Sequence, residues 1–372
     1  MSLRPLFLRA LKDPALLAAQ PAAHWQHLLA LGRVHGVSGR WHRQLETLGV
    51  LDAVPARVRR HLWADHVVAA DHARRVQWEI DRLHRALDPL EIPWALLKGA
   101  AYIAAQLPPA QGRLVADVDV LVPHQSLSVV ERQLRLHGWQ MPPQTPYDAH
   151  YYRAWMHELP PLHHELRGGT LDVHHTLLPL TDPLHPDGDA LLARRVSAGA
   201  GAAMLAPPDL VLHSVLHGFR SGEFQHGLRD VLDVYELVSH FNATDGAAFW
   251  ASLLERCLSL RVTRPLRLAL GQAEAHLGLC VPPAFKRALR RADVRLPPVA
   301  LTAALINRVL VPTLPPSPMA RLAAQALRLR SHCLKMPLPR LLPHLAHKLA
   351  RKLRPDPGAE VELTEIGEPG RG

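Results

Sequence analysis

Two aspartates, Asp117 and Asp119, stand two residues apart inside the apolar run from Leu114 to Val122. A carboxylate is costly to bury without a cation, a metal or hydrogen-bond donors, so the run needs a partner for both. On a strand, residues two apart project from one face, roughly 6 to 7 Å apart at the backbone. That spacing lets the pair hold one or two divalent cations. Hard oxygen ligands suit Mg2+, with Mn2+ as the alternative. Asp172, in Thr170-Leu-Asp-Val-His-His, is a candidate third carboxylate, set among apolar neighbours as the first pair is. Such a trio can run two-metal chemistry, one ion activating an attacking hydroxyl and the other steadying a triphosphate and its leaving group. Lys98-Gly99 supplies what carboxylates cannot. A glycine after a strand lets the backbone approach a phosphate, and the helix that follows offers its N-terminal N–H groups to an anion. Lys98, and Arg113 just before the acidic run, would neutralise phosphate charge.

These residues need strands to aim them. Alternation from Leu114 to Val122 predicts a strand with Val118, Val120 and Val122 on one face and Asp117, Asp119 and Leu121 on the other. The apolar Trp94-Ala-Leu-Leu97 leads into Lys98-Gly99 and a helix carrying Tyr102 and Ile103. The segment PPAQGR reads as a loop. A hairpin is expected from Leu162–Leu166 through Gly168-Gly169 to Thr170–Leu177. Before the core, Val76, Ile80, Leu83 and Leu87 repeat at helical spacing until Pro89 stops them. Trp25, Trp41, Trp63 and Trp78 read as core anchors of these N-terminal helices. After the core, a capping box at Ser128 and Glu131 is expected to open a helix that Gly138 ends. From Asp187 to Ala292 the chain reads as helical throughout. The organisation expected is therefore helical 1–88, an α+β core at 89–180, helical 181–295, a basic Pro-interrupted helical region 296–355 and a disordered acidic tail 356–372.

Composition narrows the classes. Apolar residues make up 48% of the 372 and charged residues 20%, which fits a globular chain with a real core. Arg4, Arg9 and Lys12 interrupt any signal-like h-region, and no apolar run approaches the ~18 residues of a membrane span. The cytoplasm is the expected compartment. Cys257, Cys280 and Cys333 form neither a disulfide framework nor a metal knuckle and read as reduced, mostly buried thiols. The net charge of +10 includes nine Lys/Arg and no Asp or Glu between Arg321 and Arg354. That run reads first as a solvated basic face. Nucleic acid or an anionic membrane surface is the sharper alternative, weakened by the lack of aromatic residues for base stacking. Among the 25 histidines, the pairs His163-His164 and His174-His175 read as structural. His174 alone shares the Asp172 face, where it would orient a phosphate or carboxylate. His217-Gly218 and the group Arg229, Asp230 and Asp233 read as packing and ion-pair residues.

Taken together, LLKGAAYIAAQLPPAQGRLVADVDVLVP and TLDVHHTLLP resemble the uncharacterised nucleotidyltransferase family related to the DNA polymerase β superfamily. The likeness extends into APPDLVLHSVLHGFRSGEFQHGLRDVLDVYELV and spans roughly Leu83 to Val238. It implies a polymerase β-like mixed β-sheet core flanked by helical regions, within a bacterial protein. Asp117 and Asp119 become the metal pair, and Asp172 the third carboxylate. Lys98, Gly99 and Arg113 become the nucleotide-binding set. Lys98-Gly99-Ala100 stands where better-known members of the superfamily carry Gly-Ser. The activity implied is transfer of a nucleoside monophosphate from an NTP, ATP first, to an acceptor hydroxyl, with a sugar-linked acceptor as one candidate. The alternative is a non-catalytic nucleotide-binding or protein-interaction scaffold on a degenerate version of the same fold.

Overall fold

The computed structural model describes residues 3–220, 224, 227–293, 299–310 and 316–353, with side chains described through 346. The expected disordered tail and Arg354 lie outside the described residues. Seven strands form one mixed sheet: β1 (Ala95–Leu97), β2 (Asp117–Leu121), β3 (Trp139–Gln140), β4 (Leu162–His164), β5 (Thr170–His174), β6 (Val196–Gly199) and β7 (Ala202–Met204), in the order β3-β4-β5-β2-β1-β7-β6. The pairs β2–β5 and β1–β7 are parallel and the others antiparallel. Helices surround this sheet, so the protein is α+β. No described helix is long and apolar enough to cross a membrane.

The alternation read from β2 decides how the sheet packs. Val118 and Val120 join Leu171 and Val173 of β5 in the core, each worth about 1.5–3 kcal/mol of burial. Asp117, Asp119, Asp172 and His174 take the other face. An acidic residue in place of Val120 would put a charge into that layer and undo the sheet's packing. The long helix Ala56–Leu87 lays Val76, Ile80, Leu83 and Leu87 into the same continuous core, which also takes Trp25 and Trp41 from the N-terminal helices and Leu327 from near the C-terminus.

Several expectations give way. The stretch after Asp187 holds the β6–β7 hairpin, in a segment whose small residues (Ser197, Ala198, Ala202, Ala203) also suit a helix. Its turn is made by Gly199, Ala200 and Gly201, all at positive φ, and β7 then extends the sheet beside β1. The capping box does not form. The helix starts at Leu127 after Ser126, so Ser128 lies inside its first turn, and Glu131 pairs with Arg135 and Arg153. Gly138 does end the region, at φ +85°. Trp63 and Trp78 are surface residues, 57% and 42% exposed. Trp78 carries the guanidinium groups of Arg82 and Arg167 over its ring, an interaction that suits a half-exposed indole. Only Cys257 is a buried thiol; Cys280 and Cys333 are exposed.

Candidate active site

Strand register assembles the site. In the parallel pair β2–β5, Asp119 lies directly opposite Asp172, and Asp117 opposite Thr170. In the antiparallel pair β1–β2, Leu97 lies opposite Asp119, so the next residue, Lys98, leaves the sheet beside that carboxylate. Lys98 opens the helix Lys98–Ala104 with φ +43°, a left-handed conformation that costs an L-residue roughly 1–2 kcal/mol. Strain of this kind persists where surrounding contacts over-determine it. Here the Lys98 ammonium lies 2.5 Å from Asp119 Oδ1. His174 Nε2 donates to the same oxygen at 2.9 Å.

The electrostatics are uneven across the three carboxylates. Burial alone would raise the Asp119 pKa, but Lys98 and the His174 hydrogen bond outweigh it and hold the group well below the usual carboxylate range. The ammonium responds in kind: burial would lower its pKa, and the Asp119 charge carries it above the ordinary lysine value. Asp117 is raised by burial and by Asp119. Asp172 is pushed up to about 7 by burial, Asp119 and Glu158, and its Oδ1 is buried without a hydrogen-bond partner among the described residues. Asp117, Asp119 and Asp172 each offer an oxygen within 4.8 Å of the others. Two of the three thus remain short of compensating positive charge, and a purely oxygen donor set of this size suits a hard divalent cation.

Gly99 and Arg113 sit behind this face. Gly99 is buried, and a Cβ there would lie 3.0 Å from Val115 and 3.5 Å from Arg113 Nε. Arg113 Nη1 donates to both oxygens of Asp233, at 2.7 and 2.6 Å, and the pair is almost fully buried. Arg113 is therefore brought near Lys98-Gly99 with its Nη1 occupied by the helical region beyond. The preceding Gly112 is required by geometry: it sits at φ +61°, and a Cβ would fall 2.1 Å from the Arg40 nitrogen. Gly218 lets the helix Pro207–Arg220 close on Asp230, where a Cβ would fall 2.8 Å away. Gly218 packing on Asp230 and Asp233 pairing with Arg113 agree with the reading of these residues as packing and ion-pair groups, whereas His217 lines the cavity beside the site.

Sequence reasoning missed the third wall. Residues 157–159 run antiparallel along the end of β5, with Leu159 N–H donating to the Val173 carbonyl and His175 N–H to that of His157. This sets Glu158 Oε2 3.3 Å from His174 Nε2 and His157 beside the His174 ring. Burial, then the charges of His174, Lys98 and Lys335, lower the His157 pKa well below the ordinary value, so the ring is neutral. Met156-His157-Glu158 has no spacing motif that would have marked it. A cavity of about 690 Å3 adjoins the site, and its lining includes Lys98, Asp172, His157, Glu158, His213 and Lys335.

No curated protein matches the chain. Among solved structures it is similar to an antigenic nucleotidyltransferase-like protein from Paracoccidioides brasiliensis, at 15% identity and a TM-score of 0.30, over 60% of this chain and 92% of that one. Residues 21–278, well over half of the chain and all of the site's sheet, match the model of the uncharacterised nucleotidyltransferase family, and the chain belongs to that family.

Proposed function

We propose that the protein transfers a nucleoside monophosphate from an NTP to an acceptor hydroxyl, with Asp117, Asp119 and Asp172 as the holders of Mg2+ or Mn2+. The observation that carries this reading is the trio of carboxylates with oxygens within 4.8 Å of one another, beside a cavity large enough for a small substrate. The orphaned Asp172 Oδ1 supports it further. When bound, a divalent ion supplies charge neutralisation for the phosphates and acidifies the acceptor hydroxyl.

The chain's own groups do the rest. His174 fixes the orientation of Asp119 through its Nε2 hydrogen bond. Lys98 moves from Asp119 to the incoming phosphates, exchanging one anionic partner for another. The N–H groups of the helix behind it face the same anion. Asp172 takes the proton from the acceptor hydroxyl. The acceptor oxygen forms its bond to the α-phosphorus as the bond to the bridging oxygen breaks, and pyrophosphate leaves with that electron pair. Arg113, tied to Asp233, keeps the loop before β2 against Gly99.

Calorimetry with ATP and GTP, with and without Mg2+, tests the reading on wild type, Asp119→Asn and Asp117→Asn. Metal-dependent binding that both substitutions weaken, together with pyrophosphate release once an acceptor is present, is the expected result. Asp117 is only half-buried, so its variant keeps the test open should Asp119→Asn fold poorly. Folded proteins that bind no nucleotide would sink the catalytic reading. Binding without any pyrophosphate release across an acceptor screen would leave a scaffold.

A further inference from the structure

Part of the basic C-terminal stretch borders the site. Along the helix Pro318–Lys335, residues Ala320, Ala323 and Leu327 are buried. Arg328, Ser331, His332 and Lys335, at the i, i+3, i+4, i+7 spacing of one helical face, line the cavity beside the carboxylates. This helix lies beyond residues 21–278, so it adds a wall to the site that the family-wide region does not contain.

The wall is held firmly. Arg220 Nη2 donates to Asp182 Oδ1 at 2.6 Å and to the Leu334 carbonyl at 3.3 Å. Ser331 Oγ donates to the Arg220 carbonyl at 2.8 Å, and Thr181 Oγ1 to the Lys335 carbonyl at 2.7 Å. Further along, Tyr147 and His344 are joined by a 2.7 Å hydrogen bond between the hydroxyl and Nδ1. Asp182 is fully buried and fixes Arg220, whose Nη2 and carbonyl in turn hold the helix.

The resulting cavity is polarised. Its core-side wall carries Asp172, Glu158 and Lys98, and its C-terminal wall carries Arg328, His332 and Lys335, with no acidic residue among the described residues of that wall. Two turns of helix, about 10 Å, separate Arg328 from Lys335. Asp117, Asp119 and Gly99 are absent from the lining, whereas Asp172 is part of it. The cavity therefore reaches the proton-accepting carboxylate and Lys98, and lies clear of Asp117, Asp119 and Gly99. Its volume falls in the range of small-molecule sites.

We propose that this cavity is the acceptor subsite and that it takes a small phosphorylated alcohol, its hydroxyl at Asp172 and its phosphate on Arg328 and Lys335. The proposal rests on the nucleotidyl-transfer reading above. Cations on a wall facing carboxylates select a ligand that carries a hydroxyl at one end and an anion at the other, and a guanidinium is well matched to phosphate.

The test is calorimetry on the full chain with Mg2+ and a non-hydrolysable ATP analogue. Glycerol 3-phosphate and glucose 1-phosphate are each compared with the unphosphorylated alcohol. Arg328→Gln, at an exposed position, and the double variant with Lys335→Gln are run beside wild type. The expected result is binding of at least one phosphorylated alcohol and of neither parent alcohol. The substitutions should weaken it about tenfold or more while leaving affinity for the ATP analogue unchanged. Wild type that binds the nucleotide and neither phosphorylated alcohol overturns the subsite alone. So does an effect of the substitutions on the nucleotide instead, which would assign the wall to the triphosphate. Wild type that binds no nucleotide overturns the reading beneath it and the subsite with it.

Discussion

Replacing Lys98 by methionine separates two roles that one side chain fills. In the structure its ammonium lies 2.5 Å from Asp119 Oδ1, on an atom that a metal would also claim, and Asp119 is only 2% exposed. Removing one partner of a buried ion pair costs about 3–5 kcal/mol. The hydrogen bond that His174 Nε2 donates to the same oxygen at 2.9 Å stays in place, so the loss belongs near the lower end, about 3 kcal/mol. Lys98→Gly should lose roughly 1 kcal/mol less, since glycine removes the penalty of the positive φ. The metal then becomes the discriminating reagent. With the ammonium gone, a divalent ion at about 100 times its Kd stabilises the fold by about 2.7 kcal/mol, nearly offsetting the substitution. In wild type the ion must first displace Lys98, so its effect is smaller. Urea denaturation of the three proteins, each with and without Mg2+ or Mn2+, reads all of these quantities. Equal metal stabilisation of wild type and Lys98→Met would refute the idea that lysine stands in for the ion. A folded Lys98→Met that no metal stabilises would refute the metal site itself.

The Arg113–Asp233 pair is nearly dry and doubly hydrogen-bonded, so Asp233→Asn should cost about 3–5 kcal/mol. The double variant with Arg113→Gln should cost less than the sum of the two single changes, and a denaturation cycle measures the difference. Asp182→Asn frees Arg220 from its partner; limited proteolysis should then cut the helix Pro318–Lys335 before any other described helix, whereas wild type resists. Thiol labelling at neutral pH should modify Cys280 and Cys333 quickly and Cys257 only on unfolding, because burial pushes the Cys257 thiol up to about 12. The same shift gives a pH sign. The unfolded chain releases that proton near its ordinary value and the folded one does not, so stability should fall as the pH rises from about 9 toward 12.

Local periodicity and spacing made half of the site readable. The two-residue repeat of β2 gave both the buried valine face and the carboxylate face, because a strand's side-chain direction is a local property. Asp172 followed from the same reasoning on β5, since a carboxylate among apolar residues needs a reason wherever it stands. The pairing of the two strands was not local. Only the parallel register, Asp119 against Asp172, turns two separate oddities into one group, and no window of sequence contains it. The β6–β7 hairpin escaped for a related reason: its alanine- and glycine-rich strands satisfy a helix as readily as a sheet edge, and pairing with β1 decides between them.

What sequence could not supply at all is which cation each carboxylate meets. Arg113 and Lys98 were indistinguishable as phosphate ligands, both cationic and both close in sequence to the acidic strand. The fold separates them by depth. Arg113 is drawn to Asp233, a residue 120 positions away, in a nearly buried pair. Lys98 is held by a left-handed turn against Asp119, at the edge of the cavity. The basic run near the C-terminus divides in the same way. Its composition suggested one charged face, yet helix packing places Arg328 and Lys335 in the lining of the cavity that Asp172 and Glu158 share, while Leu327 enters the core. A charge count over a helix cannot distinguish a solvated stripe from a binding wall, because the distinction lies in what stands opposite. Here Asp172 and Glu158 line the same cavity, and under the acceptor subsite proposed above Arg328 and Lys335 are part of a site rather than of a solvated stripe.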